Sequence, residues 1–510
     1  MRYANPVIFS DYSDPDVIRV GEDFYMVASS FNFVPGVPVL HSKNLVEWEL
    51  INYVLPEIPF HGYEEANHGN GAWAPSLRFH GGKFYCLIPF PDEGIFVSET
   101  QDIYGKWSPL RPLLLGKGFI DPCPIWEDNR CHVAFAFARS RAGFNSKIAL
   151  FETDENLQAP AQKYDIIYFN PDISPVIEGP KLYKRGKYFY ILAPAGGVKT
   201  GWQVALRSKK LKGPYETKIV LIQGSTEVNG PHQGALVDLD DKGERWAFLH
   251  FQDLGAYGRV VHLQPAKWAD DWVILGEETY DNMAGNPAKG GEYPVNIKTD
   301  YKIQPSDEFD GKTLSPIWQT PANRRDGWCE MKGGMKLNCA YYGGNSIANV
   351  PQLFLQRVLY ENFSIKTKCK LNLKEDGDEA GFIVFGREYG YVCVVRSDGQ
   401  NYLEIRKGAI GGGEDETLCR SQPYGDGYVT FQMTARRVSP ETFLYKFTFG
   451  GSAFTHKFYA TPAVWTGARV GVYARSSAQS DGFATFKFFR VTQNKHPESR
   501  ALSGGAKGTD

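Results

Sequence analysis

The first 300 residues repeat a unit of about fifty residues, and few folds accommodate a strand-built repeat of that length. Each unit opens near a proline, runs into an apolar strand, turns at Gly, Asn or Asp, and returns as an aromatic-rich strand. The openings are SDPDVIRVGEDFYMVASS at Asp14, WAPSLRFHGGKFYCLIPF at Trp73, DPCPIWEDNRCHVAFAFA at Asp121, EGPKLYKRGKYFYILAPA at Glu178 and HQGALVDLDDKGERWAFLHF at His232, spaced by 59, 48, 57 and 54 residues. No long amphipathic helix pattern interrupts them, which disfavours alternating β/α folds. A period of this length matches the blade of a β-propeller, so residues 1–300 are predicted to form a five-bladed propeller.

After Trp272 the period is lost in DNMAGNPAKGGEYPVNIKTDYKIQPSDEFD, which reads as a wrapped linker. Beyond it, alternating strands such as FSIKTKCKLNL, YVTFQMTARRV and ATFKFFRVT carry no blade period and suit a two-sheet sandwich over residues 301–493. The polar, Gly-rich end, residues 494–510, is predicted to be a flexible tail. Composition agrees with an all-β chain: 53 Gly and 31 Pro make about 16% of the 510 residues, above the average near 12%, and 14% are aromatic.

A formal net charge of −2 offers no excess for a phosphate backbone or an anionic lipid surface, so neither nucleic acid nor membrane is expected as a partner. No apolar run approaches the ~18 residues of a membrane span, and MRYANPVIFSDYSDPD lacks the pattern of an export signal. The expected location is the cytoplasm, or the periplasm or exterior for a protein whose signal is not part of the sequence. The eight cysteines are scattered without metal-knuckle spacing and read as buried thiols.

In a propeller the innermost strand of every blade lines the central channel, so residues that open successive units meet on the axis. Three of the five openings are carboxylates, Asp14, Asp121 and Glu178; the others are His232 and Trp73. Carboxylates confined together disfavour one another's ionisation, and an apolar wall favours the neutral form, so one can serve as acid while another stays a base. Glycoside hydrolysis needs that division: a protonated carboxyl for the leaving oxygen and a carboxylate for water or direct attack. An Asp before a proline also commonly caps a turn, but three in phase favour a shared site.

At these residues a resemblance becomes specific. The run from NPVIFSDYSDPDVIRVGEDFYMVASS, through GNGAWAPSLRFHGGKFY, FIDPCPIWEDN, VIEGPKLYKRGKYFYILAPAGG and VNGPHQGALVD, to YGRVVHLQP resembles glycoside hydrolase family 43 in the right order. Its members include β-xylosidases and α-L-arabinofuranosidases with five-bladed propellers. From DEFDGKTLSPIWQ to about Gln493 the chain is similar to the concanavalin-A-like, jelly-roll sandwich that follows the propeller in the xylosidase members. The resemblance implies that this sandwich narrows the active-site pocket.

By the same resemblance, Asp14 is the general base, Asp121 the carboxylate that orients the acid and tunes its proton affinity, and Glu178 the general acid. Asp16 stands two positions beyond Asp14, where strand alternation returns a side chain to the same face, so it competes for the base role; the family motif selects Asp14. Arg259 matches an arginine that binds sugar hydroxyls, and Trp73 with Phe31 or Phe33 would supply faces for a pentose. His232 matches a histidine that touches sugar and, in many members, a calcium ion with its waters.

The expected function is therefore that of an exo-acting, inverting hydrolase that releases terminal xylose, and also α-L-arabinofuranose, from xylo-oligosaccharides and related hemicellulose fragments. A dedicated α-L-arabinofuranosidase acting on side chains of arabinoxylan, arabinan or xyloglucan is the alternative within the enzyme class. A non-catalytic carbohydrate-binding propeller is the alternative outside it. The expected partner is a small oligosaccharide, with no organic cofactor, and assembly into a homo-oligomer is left open.

Overall fold

The computed structural model describes residues 1–278, 284–344, 346–411, 416–425, 427–449 and 454–495. Of the expected tail, residues 496–510 lie outside that description. The chain is almost entirely β; among the described residues the helical segments are Arg139–Ala142 and the 3₁₀ turns Gly255–Tyr257 and Ile347–Asn349.

Five antiparallel sheets follow one another, each with a four-strand meander. Blade 1 is built from Asp16–Val20, Asp23–Val27, Gly36–Ser42 and Glu49–Leu55. Blade 2 uses Ser76–His80, Lys83–Phe90, Gly94–Thr100 and Arg111–Leu115. Phe119–Glu127, Arg130–Phe137, Lys147–Asp154 and Asp165–Phe169 make blade 3. Blade 4 consists of Lys181–Arg185, Tyr188–Ala195, Trp202–Ser208 and Glu216–Leu221, and blade 5 of His232–Asp238, Trp246–Asp253, Arg259–Ala269 and Trp272–Leu275.

The turn residues noted in the sequence explain the tight first hairpins. In blade 2 His80 pairs with Lys83 across Gly81 and Gly82, whose φ values are 55° and 78°; in blade 3 Glu127 pairs with Arg130 across Asp128 and Asn129, at 51° and 59°. Two successive positive φ angles define the turn whose twist matches that of paired strands, and Gly, Asp and Asn are the residues that tolerate it.

Apolar side chains pack between neighbouring blades and close the ring. Val39 and Leu55 of blade 1 meet Ile88 and Phe96 of blade 2, and Leu87 and Val97 on the other face of blade 2 meet Phe135 and Phe151 of blade 3. Ala134 and Leu150 pack on Ile191 and Val204, and Tyr190 and Val220 on Phe248 and Leu275. Leu249 and Val261 of blade 5 return to Met26 and Leu40 of blade 1. Full burial of such a side chain stabilises by about 1.5–3 kcal/mol, so the circular arrangement rests on these seams more than on any one sheet.

The stretch that reads as a linker is partly ordered as strand. Glu277–Glu278 and Gly285–Asn286 extend the sheet of blade 4, while Gly290–Glu292 pairs with the N-terminal strand Arg2–Ala4. The first compact unit comprises Met1–Asp253, Gly258–Ile303 and Gln319–Asn323. That last short segment is stitched to the propeller: Thr320 bridges Val34, the Asn32 amide donates to the Pro321 carbonyl at 2.7 Å, and the Asn323 N–H donates to the Tyr63 carbonyl at 2.7 Å.

The second unit comprises Leu254–Tyr257, Gln304–Trp318 and the described residues from Arg324 on. It holds two sheets. One runs Cys329–Met331, Met335–Asn338, Phe483–Gln493, Phe363–Asn372, Tyr428–Ser439, Thr442–Thr448 and Thr455–Tyr459. The other is ordered Ala340–Tyr341, Arg469–Ser476, Glu379–Phe385, Glu388–Ser397, Gln400–Ala409 and Thr417–Pro423. Strand Phe363–Asn372 alternates between buried and outward side chains, the signature of a sheet with one packed face, and Phe382 meets Phe447 and Phe489 at centroid distances of 5.8 and 5.9 Å. This is the sandwich expected from the sequence. All eight cysteines are free thiols, six buried and two, Cys329 and Cys419, half-buried.

Candidate active site

Each opening residue stands at the start of a first strand, and the backbone there leaves the regular pleat. Asp14 and Asp121 both have φ of 57°, and in blade 4 the residue at the same place before proline is Gly179, at 58°. A left-handed conformation costs a non-glycine residue on the order of 1–2 kcal/mol, least for Asp and Asn. Its effect is to break strand alternation, so the carboxyl before the proline is not on the face that the following strand would assign to it. A Cβ on Gly179 would lie 2.8 Å from the Gln233 side chain, which explains why Glu178 stands one residue earlier than the two aspartates.

The three carboxylates come together. Asp121 is buried; its Oδ2 accepts the Gly179 N–H at 2.7 Å. Burial, then the charges of Glu178 and Asp14, push its acidity from the usual carboxyl range up to about 8, against the opposing effects of the Gly179 N–H and Lys181.

Asp14 is also buried, and its Oδ2 accepts a hydrogen bond from Ser29 Oγ at 2.5 Å and lies 3.5 Å from Arg259 Nη1. The Arg259 guanidinium sits 4.8 Å above the Phe251 ring, and its main-chain N–H donates to Asp11 Oδ1 at 2.9 Å. Glu178 is the most open of the three, its side chain 27% exposed against 8% for Asp14, and its Oε1 lies 2.8 Å from Nε2 of the buried His232. The arrangement is thus graded: a sequestered carboxylate held by a cation and a hydroxyl, a buried proton-binding carboxyl, and a carboxyl that reaches solvent beside an imidazole.

The aromatic residues take distinct places. Phe31, with φ of 53°, pairs through its backbone with Ala72 and meets Trp73 edge-on at 6.1 Å. Trp73 is half-buried, packs beside Ile120, the neighbour of Asp121, and donates its indole N–H to the Gly69 carbonyl at 3.0 Å. Phe31 and Phe33 are both buried, 3% and 2% exposed, so burial does not choose between them. Trp73 thus lies beside the Asp121 strand through Ile120, and Phe31 lies against Trp73.

Asp16 does not compete with Asp14. It is fully buried, and its Oδ2 accepts the Leu77 N–H and an Arg78 N–H, both at 2.7 Å, while its Oδ1 lies 3.4 Å from the Lys181 ammonium. Regular strand begins only at Asp16, so the alternation that would have put the two aspartates on one face does not reach back to Asp14.

The calcium implied by the resemblance finds one donor rather than a cage. His232 Nδ1 is buried without a hydrogen-bond partner and fits a single ligand position. Among the described residues no three His, Cys, Asp or Glu side chains gather to hold an ion. Calcium takes six to eight oxygens, and a lone imidazole does not supply them.

Three contributors were not foreseen as part of the site. Ser29 and Phe251 lie in stretches whose apolar or small-residue character resembles the rest of each blade, and only the pairing of strands brings them under Asp14 and Arg259. Gly179 acts through its main-chain N–H, which no side-chain pattern reveals.

Residues 3–273 match the family model described as glycosyl hydrolases family 43, and residues 306–492 match that of the beta xylosidase C-terminal Concanavalin A-like domain. A putative beta-xylosidase of Xylanibacter ruminicola is 36% identical over 390 residues, covering 76% of this chain and 71% of its own. A non-reducing end alpha-L-arabinofuranosidase of Bacteroides ovatus is 29% identical over 513 residues, 94% of this chain and 92% of that one. The crystal structure of a xylan beta-1,4-xylosidase from Bacillus halodurans has the same fold, with a TM-score of 0.81, 24% identity and coverage of 96% of this chain and all of its own.

Proposed function

The chain belongs to glycosyl hydrolase family 43, and on that premise we propose that it is an exo-acting, inverting glycosidase that removes terminal xylose from xylo-oligosaccharides, accepting terminal α-L-arabinofuranose as well. The observation that carries the reading is the convergence of Asp14, Asp121 and Glu178 from three blades, with the proton affinity of Asp121 raised by burial and by the charges of the other two. Burying like charges costs a passive binder stability and gives it nothing, whereas an acid–base pair requires the arrangement.

The division of labour follows from the surroundings. Asp14, beside the Arg259 cation and the Ser29 hydroxyl, is placed to take a proton from water at the sugar carbon. Glu178, open to solvent, is placed to protonate the departing oxygen at the mouth, where the next sugar leaves. Asp121 keeps Glu178 in position through the adjacent Gly179 N–H. Arg259 offers further donors to vicinal hydroxyls, and Trp73 with Phe31 an apolar face for the pentose.

Single displacement leaves room for a water between the carboxyls, a separation of ~6.5–9.5 Å, and inverts the anomeric centre. Proton NMR of a β-xyloside digest should therefore show α-xylose first, with the β anomer growing in by mutarotation. Initial β-xylose would refute inversion. Xylohexaose should yield xylose from the earliest time; internal fragments without monosaccharide would refute exo action. The arabinofuranosidase reading is favoured by the near full-length match to the Bacteroides ovatus enzyme, and parallel kinetics on the two nitrophenyl glycosides separate it from the leading one.

No step runs through calcium, because His232 brings one nitrogen and no oxygen cage. Turnover is expected to survive exhaustive chelation. A loss that calcium alone restores would show that waters complete a functional site on His232.

A further inference from the structure

Beneath the three carboxylates lies a second charged cluster. Asp16 and Cys123 each follow a catalytic aspartate by two residues, and Lys181 follows Glu178 by three, which at ~3.3 Å per residue places them one layer, roughly 7–10 Å, further along the inner strands. Arg78 of blade 2 joins them: its Nη1 lies 2.7 Å from Asp16 Oδ2 and its Nη2 2.9 Å from Cys123 Sγ. The Lys181 ammonium is fully buried and makes only long contacts, 3.4 Å to Asp16 Oδ1 and 3.4 Å to the Pro75 carbonyl. Tyr183, beside them on blade 4, accepts the Leu236 N–H of blade 5 at 2.8 Å, so the layer touches all five blades.

We propose that Lys181 is a positioning residue that favours the ionised form of the base Asp14, and that Asp16 and Arg78 anchor it there. This rests on the glycosidase reading and extends it. Asp16 with Arg78 alone would be a neutral pair and would suffice to fasten the blades. Adding Lys181 leaves one surplus positive charge in a buried layer, a costly arrangement unless negative charge nearby compensates it. That charge is the trio above. Lys181 indeed opposes the upward push on Asp121. The charged and titratable groups that face the trio and this layer are Asp14, Asp121, Glu178, His232, Arg259 and Asp11 above, and Arg78, Asp16, Lys181, Cys86, Cys123 and Tyr183 below.

The sign is fixed by the charges. Removing a cation makes Asp14 and Asp121 retain protons to higher pH; removing the Asp16 anion does the opposite. The acidic limb of kcat/KM against pH, measured on xylobiose with the full chain, should move up by about one pH unit in Lys181→Met and down in Asp16→Asn, and stay in place in Lys181→Arg. Rates that fall equally at every pH with the limb unmoved, or a shift of the same sign in Lys181→Met and Asp16→Asn, would overturn the proposal. If Lys181→Met does not fold, the downward shift in Asp16→Asn and the unmoved limb in Lys181→Arg still decide it. A wild-type chain inactive on every pentoside would instead sink the glycosidase reading.

Discussion

Asp14→Asn is expected to lower kcat on xylobiose by about three orders of magnitude, with KM little changed. The amide occupies the space of the carboxyl and can still accept from Ser29 Oγ, so the fold around it should survive, and thermal unfolding checks that. What is lost is the charge facing Arg259 and the ability to take a proton from water. Asp16 cannot substitute, because it is fully buried, its Oδ2 accepts from Leu77 and Arg78 in the layer below, and its Oδ1 faces the Lys181 ammonium at 3.4 Å. In Asp14→Ala, azide supplies a nucleophile that needs no base, and should restore part of the rate on xylosyl fluoride while forming a xylosyl azide of inverted configuration. Residual activity within tenfold of the wild type would remove Asp14 from the base role.

That experiment turns on a distinction the sequence leaves open. Asp14 and Asp16 are both acidic, two apart, in a strand-forming run, and a side-chain period of two makes them equivalent. The left-handed backbone at Asp14 removes the equivalence, and it is a property of coordinates. The repeat itself was legible because four of the five blades make the same two-residue first hairpin and all five the same inner strand, which constrains residue types at fixed offsets; Asp14, Asp121, Glu178 and His232 occupy those offsets. Ser29, Phe251 and the Gly179 N–H were not, since each acts through strand pairing or the main chain. The return of Gln319–Asn323 to the propeller left no trace either, because a short polar segment joined mainly by backbone bonds has no period to read. Calcium illustrates the converse: the resemblance suggested a ligand at His232, whose Nδ1 is buried without a hydrogen-bond partner, and the chelation experiment decides whether an ion sits there.

Glu178→Ala should show a loss that depends on the leaving group. With xylobiose the departing oxygen is a sugar alkoxide that needs its proton in the transition state, and kcat should fall by about 10³-fold or more; with 2,4-dinitrophenyl β-xyloside, whose phenolate leaves unaided, the loss should be at least about 100-fold smaller. The contrast isolates proton donation from positioning. Removing the side chain also removes the partner of His232 Nε2 and one of the two charges that raise the proton affinity of Asp121, so Asp121 should ionise at lower pH than in the wild type. The remaining activity on the dinitrophenyl substrate should accordingly keep only the acidic limb set by Asp14, and the alkaline limb, which reports loss of the acid's proton, should disappear. Equal losses on both substrates would mean that Glu178 orients the sugar rather than protonating the leaving oxygen. An alkaline limb that persisted would place the catalytic proton on Asp121, the carboxyl that burial already favours as its holder.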